Sequence, residues 1–196
     1  VGVAEAIYDI APGAILFVSN PFSRGDLQNT AAWMVSQGVQ VINMSVGWFW
    51  EGPGDGTSPY SDSPLKTVDL AVDGGIVWAN SAGNSGEDTW FGNYSDANLN
   101  RWIEFVPGST SELNKVQLFA GKPLKAQLRW ADTWNGANTD LDLYLYDSGV
   151  NTVMASSLDA QSGSTAQDPF ESIFFTPLVS GEYNLAVRGV SGPVPS

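Results

Sequence analysis

Two textures of apolar and polar residues follow one another along the chain, and the change comes near residue 88. Before it, short continuous apolar runs alternate with segments of helical period. Ala14 to Ser19 (AILFVS) follows Ala-Pro-Gly as a continuous apolar run, the pattern of a buried strand. Asp26 to Gly38 (DLQNTAAWMVSQG) puts Leu27, Ala31, Met34 and Val35 on one helical face, with Asp26 as cap and Gly38 as stop. Val39 to Gly47 (VQVINMSVG) predicts the next strand. Ser63 to Gly75 repeats the helix signature, with Ser63 as cap, Pro64 in the first turn and Gly74 at the end. Ile76 to Asn84 (IVWANSAGN) predicts a third strand. Strands alternating with helices predict a parallel sheet, whose sites form outside the carboxyl ends of the strands. Those ends are Ser45 to Gly47 and Ser81 to Asn84.

Beyond residue 88 the period becomes two. Six segments alternate apolar and polar positions: KVQLFA, KAQLRWAD, DLDLYLYD, TVMASS, SIFFTP and EYNLAVRGV, separated by turns such as AGKP and DSGVN. This spacing predicts an antiparallel, jelly-roll-like β-sandwich. The expected organisation is an α/β segment over residues 1–88, an all-β sandwich over 89–192 and a linker at 193–196. The chain opens inside a patterned segment, as a piece of a longer protein would.

Composition narrows the chemistry. The 196 residues carry a net charge of −13, which opposes binding to nucleic acid and to anionic membranes. There is no apolar run long enough to span a bilayer and no signal-peptide pattern. There are no cysteines, so disulfides and thiolate chemistry are excluded. There are also no histidines, so no Ser-His-Asp or Cys-His catalysis can arise from these residues alone. The strand-to-helix connections lack a G-x-G-x-x-G and a P-loop, which disfavours a small-ligand α/β domain.

Certain motifs resemble those of the subtilisin-like serine peptidases. One strand ends in Asn-x-Ser-x-Gly (Asn43, Ser45, Gly47), and a later one ends in Ala-Gly-Asn (Ala82, Gly83, Asn84). The opening AEAIYDIAPGAIL resembles the segment that follows the family's catalytic histidine. The resemblance covers about residues 3–88 and implies part of a three-layer α/β catalytic domain. The remainder resembles the β-sandwich that some bacterial subtilases carry inserted after that asparagine.

What the resemblance implies for the site follows residue by residue. Asn84 becomes the oxyanion-hole donor, a neutral amide that stabilises the tetrahedral intermediate more than the ground state. Read from the tetrapeptide alone, Asn84 is a turn residue closing a strand. Ser45, Val46 and Gly47, with Ala82 and Gly83, become the strand edges that pair with an extended polypeptide substrate. They also read as ordinary strand ends. Trp48, Phe49 and Trp50 either wall apolar subsites or pack under the loop from Gly52 to Pro64. The family's catalytic aspartate and histidine would lie before Val1, and the nucleophile motif Gly-Thr-Ser-Met-Ala is absent after Asn84. Gly56-Thr57-Ser58 is an accidental partial match in a Gly/Pro-rich loop. The resemblance thus implies a secreted or cell-surface serine endopeptidase, of which this chain holds one catalytic element and is inactive alone.

In the sandwich, Asp140 and Asp142 share a strand face opposite Leu141, Leu143 and Leu145. Like charges at this spacing are either solvated or neutralised by a cation. The loop ADTWNGANTD adds Asp132 and further oxygen ligands suited to calcium. Asp96, Asn98 and Asn100 form a second candidate resembling half a calcium loop. The alternative function is a non-catalytic, calcium-stabilised module that binds protein or carbohydrate through Trp90, Trp102, Trp130 or Trp134.

Overall fold

A computed structural model describes residues 2–48 and 52–192. Phe49 and Trp50, and the expected linker at 193–196, lie outside the described residues. The chain divides into two units, Val1–Thr89 and Trp90–Ser196.

The first unit contains α1 (Gly2–Ile10), α2 (Arg24–Ser36), β1 (Val41–Met44), α3 (Pro64–Asp73) and β2 (Val77–Asn80). The strands pair in parallel, with Val41 opposite Val77 and Met44 opposite Asn80. Ile42, Ala71 and Ile76 form a small core, against which Met34, Val35, Val39, Met44 and Trp78 pack. Ser63 caps α3 and Pro64 occupies its first turn, as the sequence predicts. In α2 the cap is Ser23 rather than Asp26. The Ser23 hydroxyl accepts from the Asp26 amide at 3.1 Å, while the Asp26 carboxylate accepts from the Ser23 amide at 3.2 Å. Asp26 is therefore the reciprocal half of a capping box.

The expected strand Ala14 to Ser19 does not form. Residues 14–22 have no regular structure, and Ile15 and Val18 are exposed. A parallel strand needs a neighbour to complete its ladder, and β1 pairs only with β2 among the described residues. The run lies against α2 instead, with Phe17 edge-on to Trp33 at 5.5 Å. Helix α1 buries none of its side chains.

The second unit has the six expected strands: β3 (Asn114–Leu118), β4 (Leu124–Arg129), β5 (Asp140–Tyr146), β6 (Val153–Ser157), β7 (Phe170–Phe175) and β8 (Gly181–Ser191). They form a four-stranded sheet in the order β3-β8-β5-β6 and a two-stranded sheet β4-β7, antiparallel throughout. Alternation directs Leu141, Leu143 and Leu145 of β5 inward. They meet Ala126 of β4, Ile173 of β7, and Tyr183 and Val187 of β8 in one core. Trp130 belongs to this core, 8% exposed, with its indole N–H donated to the Thr139 carbonyl at 3.2 Å. It is therefore not an exposed binding aromatic. Among the described residues no helix is long and apolar enough to cross a membrane.

Candidate functional site

In the first unit the parallel register sets the two strand exits side by side. The ladder ends at Met44 and Asn80, and the Ser81 amide donates to the Met44 carbonyl at 3.0 Å. Ser45, Val46 and Gly47 leave β1, and Ala82, Gly83 and Asn84 leave β2, all of them exposed. Asn43 leans forward, its amide donating to the Ser45 hydroxyl at 3.4 Å. Gly83 has φ of +84°, a conformation that only glycine adopts without strain. That glycine turns the chain out of the sheet and leaves the Asn84 amide in solvent. Gly86 is not at positive φ, so the backbone there does not call for glycine as it does at Gly83. The exits offer main-chain hydrogen-bonding groups and one non-titrating amide donor. Ser58 is a turn residue, its hydroxyl accepting from the Tyr60 amide at 3.2 Å.

In the second unit each aspartate on which the metal expectation rests has an internal partner. Asp132 is half-buried and organises its loop. One oxygen accepts from the Thr133 amide at 2.6 Å, the other from the amides of Asn138 at 3.0 Å and Thr139 at 2.7 Å. Burial pushes its pKa up, but the amides of Thr139, Thr133 and Asn138 outweigh burial and hold it below the usual value. Asp140 is buried where a bulge interrupts the pairing of β5 with β8. Burial raises its pKa and neighbouring Asp142 adds to the rise, against the Gln161 amide that donates to it. Asp142 lies opposite Arg188 and accepts from the Tyr144 hydroxyl at 2.8 Å. Among the described residues no three acidic side chains converge into a set that could hold a metal ion.

The Asp96 loop is similarly occupied. Asp96 accepts from the amides of Asn100 and Arg101 at 3.0 and 2.9 Å. The side-chain amides of Asn98 and Asn100 both donate to Glu112, at 2.9 and 2.7 Å. These bonds hold Leu99 and Arg101 at positive φ.

Two buried carboxylates escaped the sequence reading. Glu104 receives the Ser95 hydroxyl at 2.7 Å and the Ala97 amide at 3.0 Å, and so pins the segment that enters the sandwich. Glu171 is 1% exposed and receives the Ser157 hydroxyl, the Asp159 amide and the Gln161 side-chain amide. Its pKa is raised, first by burial, with the hydrogen bonds from Ser157 and Gln161 opposing. A signal for it existed: in PFESIFF, Glu171 shares parity with inward-facing Ile173 and Phe175.

These two groups have opposite linkage. The Asp132 contribution is present above the unfolded-chain value of about 3.9 and is lost as pH falls through its lower folded value. Glu171 favours folding in its protonated form, so its contribution is lost as pH rises through its raised folded value. Asp132→Ala is expected to cost about 2–3 kcal/mol in urea unfolding at neutral pH, since several loop amides lose a charged acceptor. The difference from wild type should shrink below about pH 4. A wild-type midpoint at neutral pH would show that the loop amides are satisfied without it.

Trp102 lies half-buried on the outer face of the larger sheet. Its ring is 5.4 Å from Tyr144 and 6.4 Å from Tyr146, and Arg188 stands 5.7 Å from its centroid. Trp90 donates its indole N–H to the Phe105 carbonyl at 3.0 Å.

With this geometry in place, comparison with known families finds a match in the second unit. Residues 108–189 match the bacterial pre-peptidase C-terminal domain. That β-sandwich module, often appended to peptidase catalytic domains, is present here. The match covers none of residues 2–89. No curated protein matches the chain.

Proposed function

We propose that this chain is an internal part of a subtilisin-like serine endopeptidase. In this reading residues 90–192 are a non-catalytic accessory sandwich, and residues 2–89 belong to the three-layer catalytic domain. One observation carries the reading. A pre-peptidase C-terminal domain match at residues 108–189 lies in the same chain as, and C-terminal to, a parallel strand pair whose exits read Asn-x-Ser-x-Gly and Ala-Gly-Asn.

Each exposed exit then has a task. The edges at Ser45 to Gly47 and at Ala82 and Gly83 pair with the substrate backbone, which gives affinity without demanding a sequence. Asn84 donates to the carbonyl oxygen as it gains charge. The aspartate, histidine and serine of the triad are supplied by chain outside residues 1–196, in a secreted or cell-surface protein. The test is casein hydrolysis by the protein extended on both sides of this chain. Turnover blocked by a serine-directed inhibitor is expected there, and none from the isolated chain. Turnover by the isolated chain that survives repurification contradicts the reading.

A second reading rests on Trp102, Tyr144 and Tyr146, which cluster on the outer face of the sandwich. It makes the sandwich a binding module for protein or carbohydrate, independent of any peptidase. Retention of residues 90–192 on a polysaccharide column, lost with Trp102→Ala, together with an inactive extended protein, favours this second reading.

Calcium binding by the sandwich is a further part of the proposal. Asp132 and Asp140 would be its main ligands, with Asp142 joining them, and the loop would have to close on the strand, since no three acidic side chains converge among the described residues. Millimolar calcium is then expected to raise the melting temperature by several degrees, because a ligand bound only by the folded state stabilises it. Magnesium should do less. Identical melting in calcium, magnesium and chelator contradicts calcium binding.

A further inference from the structure

Charge is distributed unevenly in the sandwich. Residues 113–131 contain no Asp or Glu but hold Lys115, Lys122, Lys125 and Arg129, four of the eight basic residues in a chain of net charge −13. Residues 172–181 also contain no acid. These two stretches are joined at one end of the sandwich. The Gly121 amide donates to the Pro177 carbonyl at 2.9 Å, and the Ala120 amide to the Ser180 hydroxyl at 2.8 Å. Lys122 closes its own turn on the Phe119 carbonyl at 3.0 Å. Two turns are thereby laced into one tip.

The tip is apolar where it meets water. Leu178 is 93% exposed, Val179 69% and Phe119 60%. Just inside it, Phe174 is 71% exposed, and the Lys125 ammonium lies 5.3 Å from its ring centroid. Isolated exposed apolar residues are ordinary, but several on one braced tip mark an interaction surface. Lys115 is engaged with Glu182 at 2.9 Å. The tip's own charges are those of Lys122 and Lys125.

We propose that this tip docks an acidic polypeptide segment that also carries apolar side chains. The lysines meet its carboxylates, and Phe119, Phe174, Leu178 and Val179 cover its apolar residues. A basic partner is drawn instead to the acidic remainder of the chain. A purely charged partner leaves the apolar residues in water, where they contribute nothing to affinity.

Binding of the full chain to a random Glu/Tyr copolymer tests this, with polyglutamate, a Lys/Tyr copolymer and phosphatidylglycerol vesicles as comparators. The Glu/Tyr copolymer should bind best, and more weakly as salt rises. The Phe119→Ser, Leu178→Ser double variant and Lys122→Glu should each weaken binding at least tenfold with unchanged melting temperature, since all three side chains are exposed. Undiminished binding by these variants overturns the proposal, as does failure to bind the copolymer. Preference for the vesicles also overturns it and makes the tip a lipid anchor. No catalytic segment is needed for this binding, so a negative result leaves the peptidase reading standing.

Discussion

Replacing Asn84 by alanine in the extended, active protein is expected to lower kcat by about 10²–10³ with little change in KM. The amide is exposed at the exit of β2, behind a glycine that turns the chain out of the sheet. It has no packing role to lose, so the substitution should leave the melting temperature unchanged. Its contribution arises when the substrate oxygen becomes negative, which is why kcat falls and KM does not. Asn84→Asp is informative in the same assay. It preserves size but replaces the donor by a negative acceptor, and should be at least as damaging. An unchanged kcat for the alanine variant returns Asn84 to a strand-closing turn residue.

The second large effect concerns folding. Residues 90–192 expressed alone are expected to fold and to unfold in a single cooperative transition. Residues 1–89 alone are expected to lack one. The sandwich has two sheets around a core that runs from Ile103 to Val187, further fixed by buried Glu104, Glu171 and Asn184. Among the described residues, the buried apolar side chains of the first unit are Leu27, Ala31, Ile42, Ala71 and Ile76. A two-stranded parallel sheet is not stable on so little burial, because parallel sheets depend on cover over both faces. Exposed Val41 and Val77, at the start of both strands, lack such cover. Urea titration followed by near-ultraviolet circular dichroism separates the outcomes. A sharp transition in residues 1–89 would show that this unit is self-sufficient.

How much was legible in the sequence follows from how local each determinant is. The six sandwich strands were readable because alternation is a local property and Leu141, Leu143 and Leu145 set its phase. Ser63-Pro64 marked α3 for the same reason. Ala14 to Ser19 misled because strand formation depends on a neighbour elsewhere, which an apolar run cannot reveal. Asp26 was misassigned by three positions because a capping box places acceptors at both its ends.

At the candidate sites, the residue types were readable and their partners were not. Asp132 was legible as an oxygen ligand in an acidic loop, but its hydrogen bonds from the Asn138 and Thr139 amides become visible only when the loop closes. Glu171 was written into the parity of its strand, but a carboxylate there is buried only because Ser157, Asp159 and Gln161 come round to meet it. The exits of β1 and β2 were the most legible feature, since the parallel register that joins them follows from the strand-helix-strand order.

The most direct test of the central claim is to find where a fluorophosphonate probe attaches in the extended protein, by mass spectrometry of its peptides. The account predicts one modified serine, beyond residue 196, and no labelling of the isolated chain. An adduct on Ser58 or any other serine within residues 1–196, or no adduct at all in the extended protein, would contradict it.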